Sequence, residues 1–145
     1  MRLLLLSCLA LLLFTDCGAD DQERELTGDE ITDEVVVPIL AAAGFKLPPG
    51  SQALHYYYVP PIDPAFLAKF KIPEQQTAAL LGELAQKENQ DVDLLGSLPE
   101  KVDWWISDGE DALIERRYDS DGGMVQVVVT ASGGERFLYV GEVTF

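Results

Sequence analysis

The stretch MVQVVVTASGGERFLYV, residues 124–140, decides the fold class. Two runs rich in valine and aromatic residues, 124–131 and 136–143, flank the tetrapeptide SGGE at 132–135. β-Branched and aromatic residues favour strands, and a glycine pair between two such runs is typical of a hairpin turn. This stretch therefore predicts an antiparallel β-hairpin.

Three further strand-like runs extend the pattern towards the N-terminus. Residues 112–118 precede the hairpin and are joined to it by the turn sequence DSDGG at 119–123. This turn resembles the start of a calcium loop, but Gly123 stands at a ligand position, so a hairpin turn is the better interpretation. Residues 53–59 and 66–72 are the other two runs, and together the five indicate an antiparallel sheet.

The clearest helix is predicted over residues 73–87. Pro73 and Glu74 suit a first helical turn, and Ala78, Leu81, Leu84 and Ala85 recur at spacings of three and four to form one apolar stripe. A second, short N-terminal helix is predicted over 33–43, ended by Gly44. The predicted fold is therefore α+β, with an antiparallel sheet of about five strands packed against one main helix. The sheet face away from that helix is expected to be open and available for binding.

The N-terminus is typical of an exported bacterial protein. Arg2 precedes a run of mostly Leu and Ala at 3–14, which as a helix would span about 18 Å, too short for the roughly 30 Å hydrocarbon core. We therefore expect residues 1–19 to be a signal sequence, cleaved near Cys17 or Ala19.

Two forms of the mature protein follow from that region. The sequence LFTDC at 13–17 resembles the bacterial lipobox, although Asp16 stands where a small residue is usual. The resemblance implies lipid attachment at Cys17 and a periplasmic or cell-surface lipoprotein. The small residues before Asp20 suit ordinary signal peptidase instead, which would release a soluble periplasmic or secreted protein.

Residues 20–34 are dominated by Asp and Glu and carry one basic residue, Arg24. A charged segment of this kind stays solvated and extended. The sequence therefore predicts an acidic flexible tether over 20–34, followed by a single α+β domain over 35–145.

The whole chain carries 25 acidic and 10 basic residues, a formal net charge of −15. This charge excludes a nucleic-acid partner and direct binding to an anionic membrane, since phosphate recognition needs a basic surface; contact with a membrane is expected only through an N-terminal lipid. It is compatible with an envelope protein, including a basic one, as partner; alternatively, the acidity simply keeps a small exported protein soluble.

The side chains that usually carry chemistry are scarce. The only histidine is His55, and both cysteines lie at or before the cleavage region. A zinc site of His and Cys ligands is therefore excluded, and Ser51 near His55 lacks the glycine spacing of a nucleophile elbow. We expect no enzyme activity, no cofactor and no metal.

Two aromatic clusters are the candidate binding residues: Tyr56, Tyr58, Trp104 and Trp105. Exposed Tyr and Trp suit protein interfaces and sugar stacking; alternatively, one tryptophan anchors the core and the other packs under a loop. The sequence thus predicts a non-catalytic envelope protein acting as a protein-binding module. The alternatives are an inhibitor or immunity protein against a basic cell-wall hydrolase, and a glycan-binding module.

Overall fold

A computed structural model describes residues 22–60 and 64–145. These residues form an α+β fold in which two α-helices pack on one face of a six-stranded antiparallel sheet. The strands are β1 Arg24–Thr27, β2 Gln52–Val59, β3 Ala65–Ile72, β4 Asp111–Ser120, β5 Gly123–Ser132 and β6 Glu135–Thr144. The helices are α1 Asp33–Ala43 and α2 Glu74–Ala85, and short 3-10 turns occupy Gly28–Glu30 and Leu98–Lys101.

Within the described ranges, no helix has both the length and the apolar character that crossing a membrane requires. The predicted signal sequence and Cys17 lie outside the described residues.

The strand order β1-β2-β3-β6-β5-β4 places the C-terminal strand β6 in the middle of the sheet. Every neighbouring pair is antiparallel, and the predicted β4–β5–β6 meander forms one half of the sheet. Strand β6 pairs with β3 along its whole length, from Ile72 opposite Arg136 to Ala65 opposite Val143. The last strand therefore joins the meander to the β1–β2–β3 half.

The main core lies between the helices and one face of the sheet, which we call the helix face. Its floor is a cross-strand row in which Tyr56 opposes Ala68, Ala68 opposes Val140, and Val140 opposes Val127. Helix α1 contributes Ile39 and α2 contributes Leu80 and Leu84 to the same cluster of buried side chains. The predicted apolar stripe of the main helix is therefore only partly correct: Leu84 is buried, whereas Ala78 and Ala85 are exposed and the covered side of α2 runs through Thr77 and Leu80.

The opposite face was expected to be open, and the structure corrects that expectation. Residues 94–105 cross it and form a second buried cluster of Tyr57, Leu67, Leu95 and Trp104. Leu95 packs so closely on the sheet that a Cβ atom added to Gly141 would come within 2.9 Å of its methyl groups. The segment after α2 is therefore a covering layer rather than a solvated connection.

The sheet also has one strand more than the five predicted. Strand β1 lies within the segment expected to be a flexible tether, and it pairs with β2 so that Glu25 opposes Tyr57. The acidic side chains of this segment that the structure describes remain exposed, while Leu26 and Ile31 pack against the main core. A few apolar side chains and a strand edge outweigh the charge of this segment, so the structure includes residues 24–34 in the folded domain.

The other predicted elements are present with shifted ends. Helix α1 covers the predicted 33–43, and the remaining strands and α2 differ from the prediction by at most two residues at either end. Gly44 follows α1 with a φ of 65°, the left-handed conformation that glycine adopts after a helix.

Candidate functional site

Four side chains form a row across the helix face near one end of the sheet. Arg24 on β1 opposes Tyr58 on β2, Tyr58 opposes Phe66 on β3, and Phe66 opposes Glu142 on β6. Side chains directly opposite each other on antiparallel strands have Cβ atoms about 4.5–5.5 Å apart. Two aromatic rings therefore separate a cation at one end of the row from a carboxylate at the other.

Helix α1 lies beside this row and turns it into a groove of about 660 Å³, which we call the α1 groove. Val35 and Ile39 form its helical wall, and Tyr56 extends the aromatic floor towards the core. Glu30 and Glu34 add carboxylates on the helix side. The groove therefore combines an apolar floor with a predominantly acidic lining.

Glu142 is the buried charge of the α1 groove. Only 9% of its surface is exposed, and burial raises the pKa of its carboxyl group, while a hydrogen bond donated by Ser120 opposes that shift. The Ser120 Oγ lies 3.4 Å from Glu142 Oε1, so this hydrogen bond is long. Among the described residues no Lys or Arg forms an ion pair with Glu142. A buried carboxylate in this situation is costly for the free protein and attractive to an added cation.

Arg24 already occupies the other end of the row. Its guanidinium carbon lies 5.8 Å from the centre of the Tyr58 ring, within the range of a cation–π interaction. Tyr56 next to it is buried, which raises the pKa of its hydroxyl group, and the charge of Arg24 partly opposes that shift. Within the protein itself, the Arg24 guanidinium group therefore already packs against the Tyr58 ring of the groove floor.

The structure separates the predicted binding residues into two pairs. Tyr56 and Tyr58 lie on the helix face and line the α1 groove, where Tyr56 is 7% exposed and Tyr58 is half-buried. Trp104 and Trp105 lie on the opposite face, in or against the second buried cluster. The sheet thus lies between the two aromatic clusters that the sequence indicated.

Trp104 makes contacts through both its ring face and its indole nitrogen. Its ring stacks on His55 with 5.1 Å between centroids and an interplanar angle of 11°, and its Nε1 donates a 2.6 Å hydrogen bond to Glu25. Trp105 packs edge-on against Tyr139 at 5.2 Å and stays partly exposed. Trp104 therefore fixes the covering layer to β1 and β2, and Trp105 carries the more accessible surface.

A second buried carboxylate, Glu110, lies on that opposite face with its partners already in place. It accepts hydrogen bonds from Thr130 at 2.5 Å and from Tyr139 at 2.7 Å, and Lys69 lies 3.8 Å away. Burial alone would raise the pKa of Glu110, but these hydrogen bonds and the Lys69 charge together hold it below the ordinary value. Since Tyr139 is fully buried and the Glu110 side chain is 7% exposed, this network fixes the loop that follows the covering layer to the sheet.

Sequence reasoning missed Phe66 and Glu142 as site residues. The signal for Glu142 is its position, because Leu138, Val140 and Glu142 alternate onto the same sheet face. A carboxylate at the next position of a buried apolar series is a marked departure from the pattern. Phe66 gives no such signal, since an aromatic residue on a strand is ordinary.

Comparison with known proteins gives no significant match, whether with protein-family models, with curated proteins or with solved structures.

Proposed function

We propose that this chain is a non-catalytic, exported envelope protein that binds a basic protein partner through the α1 groove. The observation that carries the proposal is Glu142, a buried carboxylate on an aromatic floor with no cation from the described residues beside it. Glu110 offers the comparison within the same molecule, because its carboxylate has a lysine and two hydroxyl donors. Glu142 has one long hydrogen bond, so its carboxylate is able to form an ion pair with a cation of the partner.

The charge of the whole molecule supports a basic partner. A formal net charge of −15 attracts a cationic protein over long range and accelerates encounter. Glu30 and Glu34 place negative charge in the groove lining itself. The aromatic floor would contact the aliphatic part of a basic side chain while its charged end meets a carboxylate.

Export and lipid anchoring belong to the same proposal. They rest on the N-terminal sequence, with residues 1–19 as the signal and Cys17 as the lipidation site. An inhibitor or immunity protein against a basic cell-wall hydrolase is the special case in which binding also lowers the partner's activity.

The proposal is tested by calorimetric titration of the mature protein with two purified basic muramidases. The same muramidases with succinylated lysines are the matched ligands, because succinylation reverses the charge of those side chains. We expect saturable binding that weakens at least about tenfold between roughly 0.05 and 0.5 M salt, and none to the succinylated forms. Absence of binding to both native muramidases, or binding indifferent to salt, would contradict the proposal.

A matched pair of variants separates the groove from general acidity. The double variant Glu34→Gln, Glu142→Gln removes two charges from the groove, and Glu88→Gln, Glu100→Gln removes two from exposed positions elsewhere. Both variants have the same net charge. We expect the groove variant to bind about tenfold more weakly and the control to change less than about twofold. Equal weakening of the two would contradict binding through the groove.

A further inference from the structure

Resting on the proposed function, we infer that the α1 groove recognises one arginine side chain of the partner, with its guanidinium over the Phe66 ring and hydrogen-bonded to the Glu142 carboxylate.

Phe66 lies next to Glu142 in the groove. It is half-buried in the floor of the groove, between Tyr58 on β2 and Glu142 on β6. Its ring packs against Tyr56 with 6.2 Å between centroids and a tilt of 31°, which fixes it from the core side. Phe66 and Glu142 thus present an aromatic surface and a carboxylate side by side, at the spacing of adjacent strands.

The other end of the row already holds an arginine against an aromatic ring. Arg24 lies over Tyr58 in the way that the inferred arginine would lie over Phe66. Among the described residues, no cation lies over Phe66 and none forms an ion pair with Glu142. The row therefore contains two aromatic rings. Arg24 supplies a cation to Tyr58, whereas the described residues supply none to Phe66.

The pairing of a ring with a carboxylate favours arginine over lysine. A planar guanidinium stacks on a ring while its in-plane N–H groups donate to a carboxylate, which an ammonium group cannot do in one geometry. Guanidinium is also more weakly hydrated, so bringing it to a carboxylate that is 9% exposed costs less desolvation. Both arguments favour arginine at this position.

The test uses three N-acetylated, C-amidated tripeptides that differ only at the central residue: arginine, lysine or citrulline, the neutral isostere of arginine. Binding to the mature protein is followed by NMR shifts of the aromatic ring protons. We expect the arginine peptide to bind at least about threefold more tightly than the lysine peptide, and about tenfold more tightly than the citrulline peptide. Equal affinity for arginine and citrulline would overturn the inference.

Variants locate the contact. Glu142→Gln keeps the shape of the side chain and is expected to weaken arginine-peptide binding about tenfold, and Phe66→Leu, which keeps an apolar side chain, by about threefold to fivefold. Glu100→Gln, at an exposed position outside the groove, is the control and should leave the affinity unchanged. Unchanged binding to Glu142→Gln would overturn the inference.

The muramidase titrations distinguish failure of this inference from failure of the proposed function. If arginine is the recognised residue, blocking the partner's arginines with cyclohexanedione abolishes binding, while acetylating its lysines weakens it only in part. If lysine acetylation abolishes binding and arginine blocking does not, the inference falls and the proposed function stands. If neither native muramidase binds, the proposed function falls.

Discussion

Phe66 and Glu142 lie directly opposite each other in the β3–β6 ladder, on the sheet face that the helices cover. The rest of that face near β6 is apolar, with Leu138 and Val140 preceding Glu142 at alternate positions. Glutamate is rarely buried without a partner, because taking a carboxylate out of water costs free energy. We therefore interpret Glu142 as a residue kept for binding at a cost in stability.

Glu142→Gln should make the free protein more stable at neutral pH, by on the order of 1 kcal/mol, while weakening partner binding. Burial raises the pKa of Glu142 in the folded state above its ordinary value of 4.5. Between pH 4.5 and that raised pKa, the folded state therefore binds more protons than the unfolded state. Stability therefore falls as the pH rises from 4.5 through the folded-state pKa, and the glutamine variant should lack this decline. Urea denaturation across that range measures it. A variant less stable than the wild type at neutral pH would refute this interpretation.

The sequence predicted the parts of the fold that repeat a strong local pattern. The valine-rich β5 and the extent of α2 are examples, although the buried side of α2 runs through Thr77, Leu80 and Leu84 and shares only Leu84 with the predicted stripe. Strand β1 was missed because its stability comes from pairing with β2 and from contacts such as Trp104 with Glu25, which no local pattern reveals. The α1 groove was missed for the same reason, because Tyr58, Phe66 and Glu142 become neighbours only through strand order.

The two adjacent tryptophans should respond differently to truncation. Trp104→Ala removes a side chain that is 7% exposed, its stacking on His55 and its hydrogen bond to Glu25, so we expect a loss of about 3–5 kcal/mol in unfolding free energy. Trp105→Ala removes a partly exposed ring and should cost about 1–2 kcal/mol. Urea denaturation of both variants measures the difference, and similar costs would contradict these assignments.

The same pair tests the glycan-binding alternative. Sugar stacking needs an accessible ring face, which Trp105 offers more than Trp104. Fluorescence titration with cell-wall oligosaccharides should therefore leave the tryptophan emission of the wild type unchanged. Saturable quenching that disappears in the Trp105 variant would favour the glycan-binding alternative over the α1 groove.

His55 should make the fold sensitive to mild acid. Burial is the main cause that lowers the pKa of His55 below its ordinary 6.5, and the charge of Lys69 lowers it further, while Glu25 and Asp103 partly oppose the shift. The unfolded state therefore takes up a proton before the folded state does. Stability should fall as the pH drops through 6.5, with the loss complete below the folded-state pKa.

An NMR titration of the His55 Hε1 proton gives the folded-state pKa directly. Urea denaturation of His55→Gln, which cannot titrate, is the matched measurement and should lack the stability loss between neutral and mildly acidic pH. A His55 pKa at or above 6.5 would contradict the prediction.

The N-terminus carries the last prediction, because the folded domain begins earlier than the acidic composition suggested. Six residues separate Cys17 from Arg24, the first residue of β1, and a fully extended chain covers at most about 3.5 Å per residue. A lipid on Cys17 would therefore hold the β1 edge, and with it the Arg24 end of the α1 groove, within roughly 25 Å of the membrane surface. Intact mass of the protein isolated from its native envelope should show a chain that begins at a diacylated Cys17. Cys17→Ser should move the protein out of the membrane fraction, whereas a wild-type chain beginning at Asp20 would mean that the groove belongs to a freely diffusing protein.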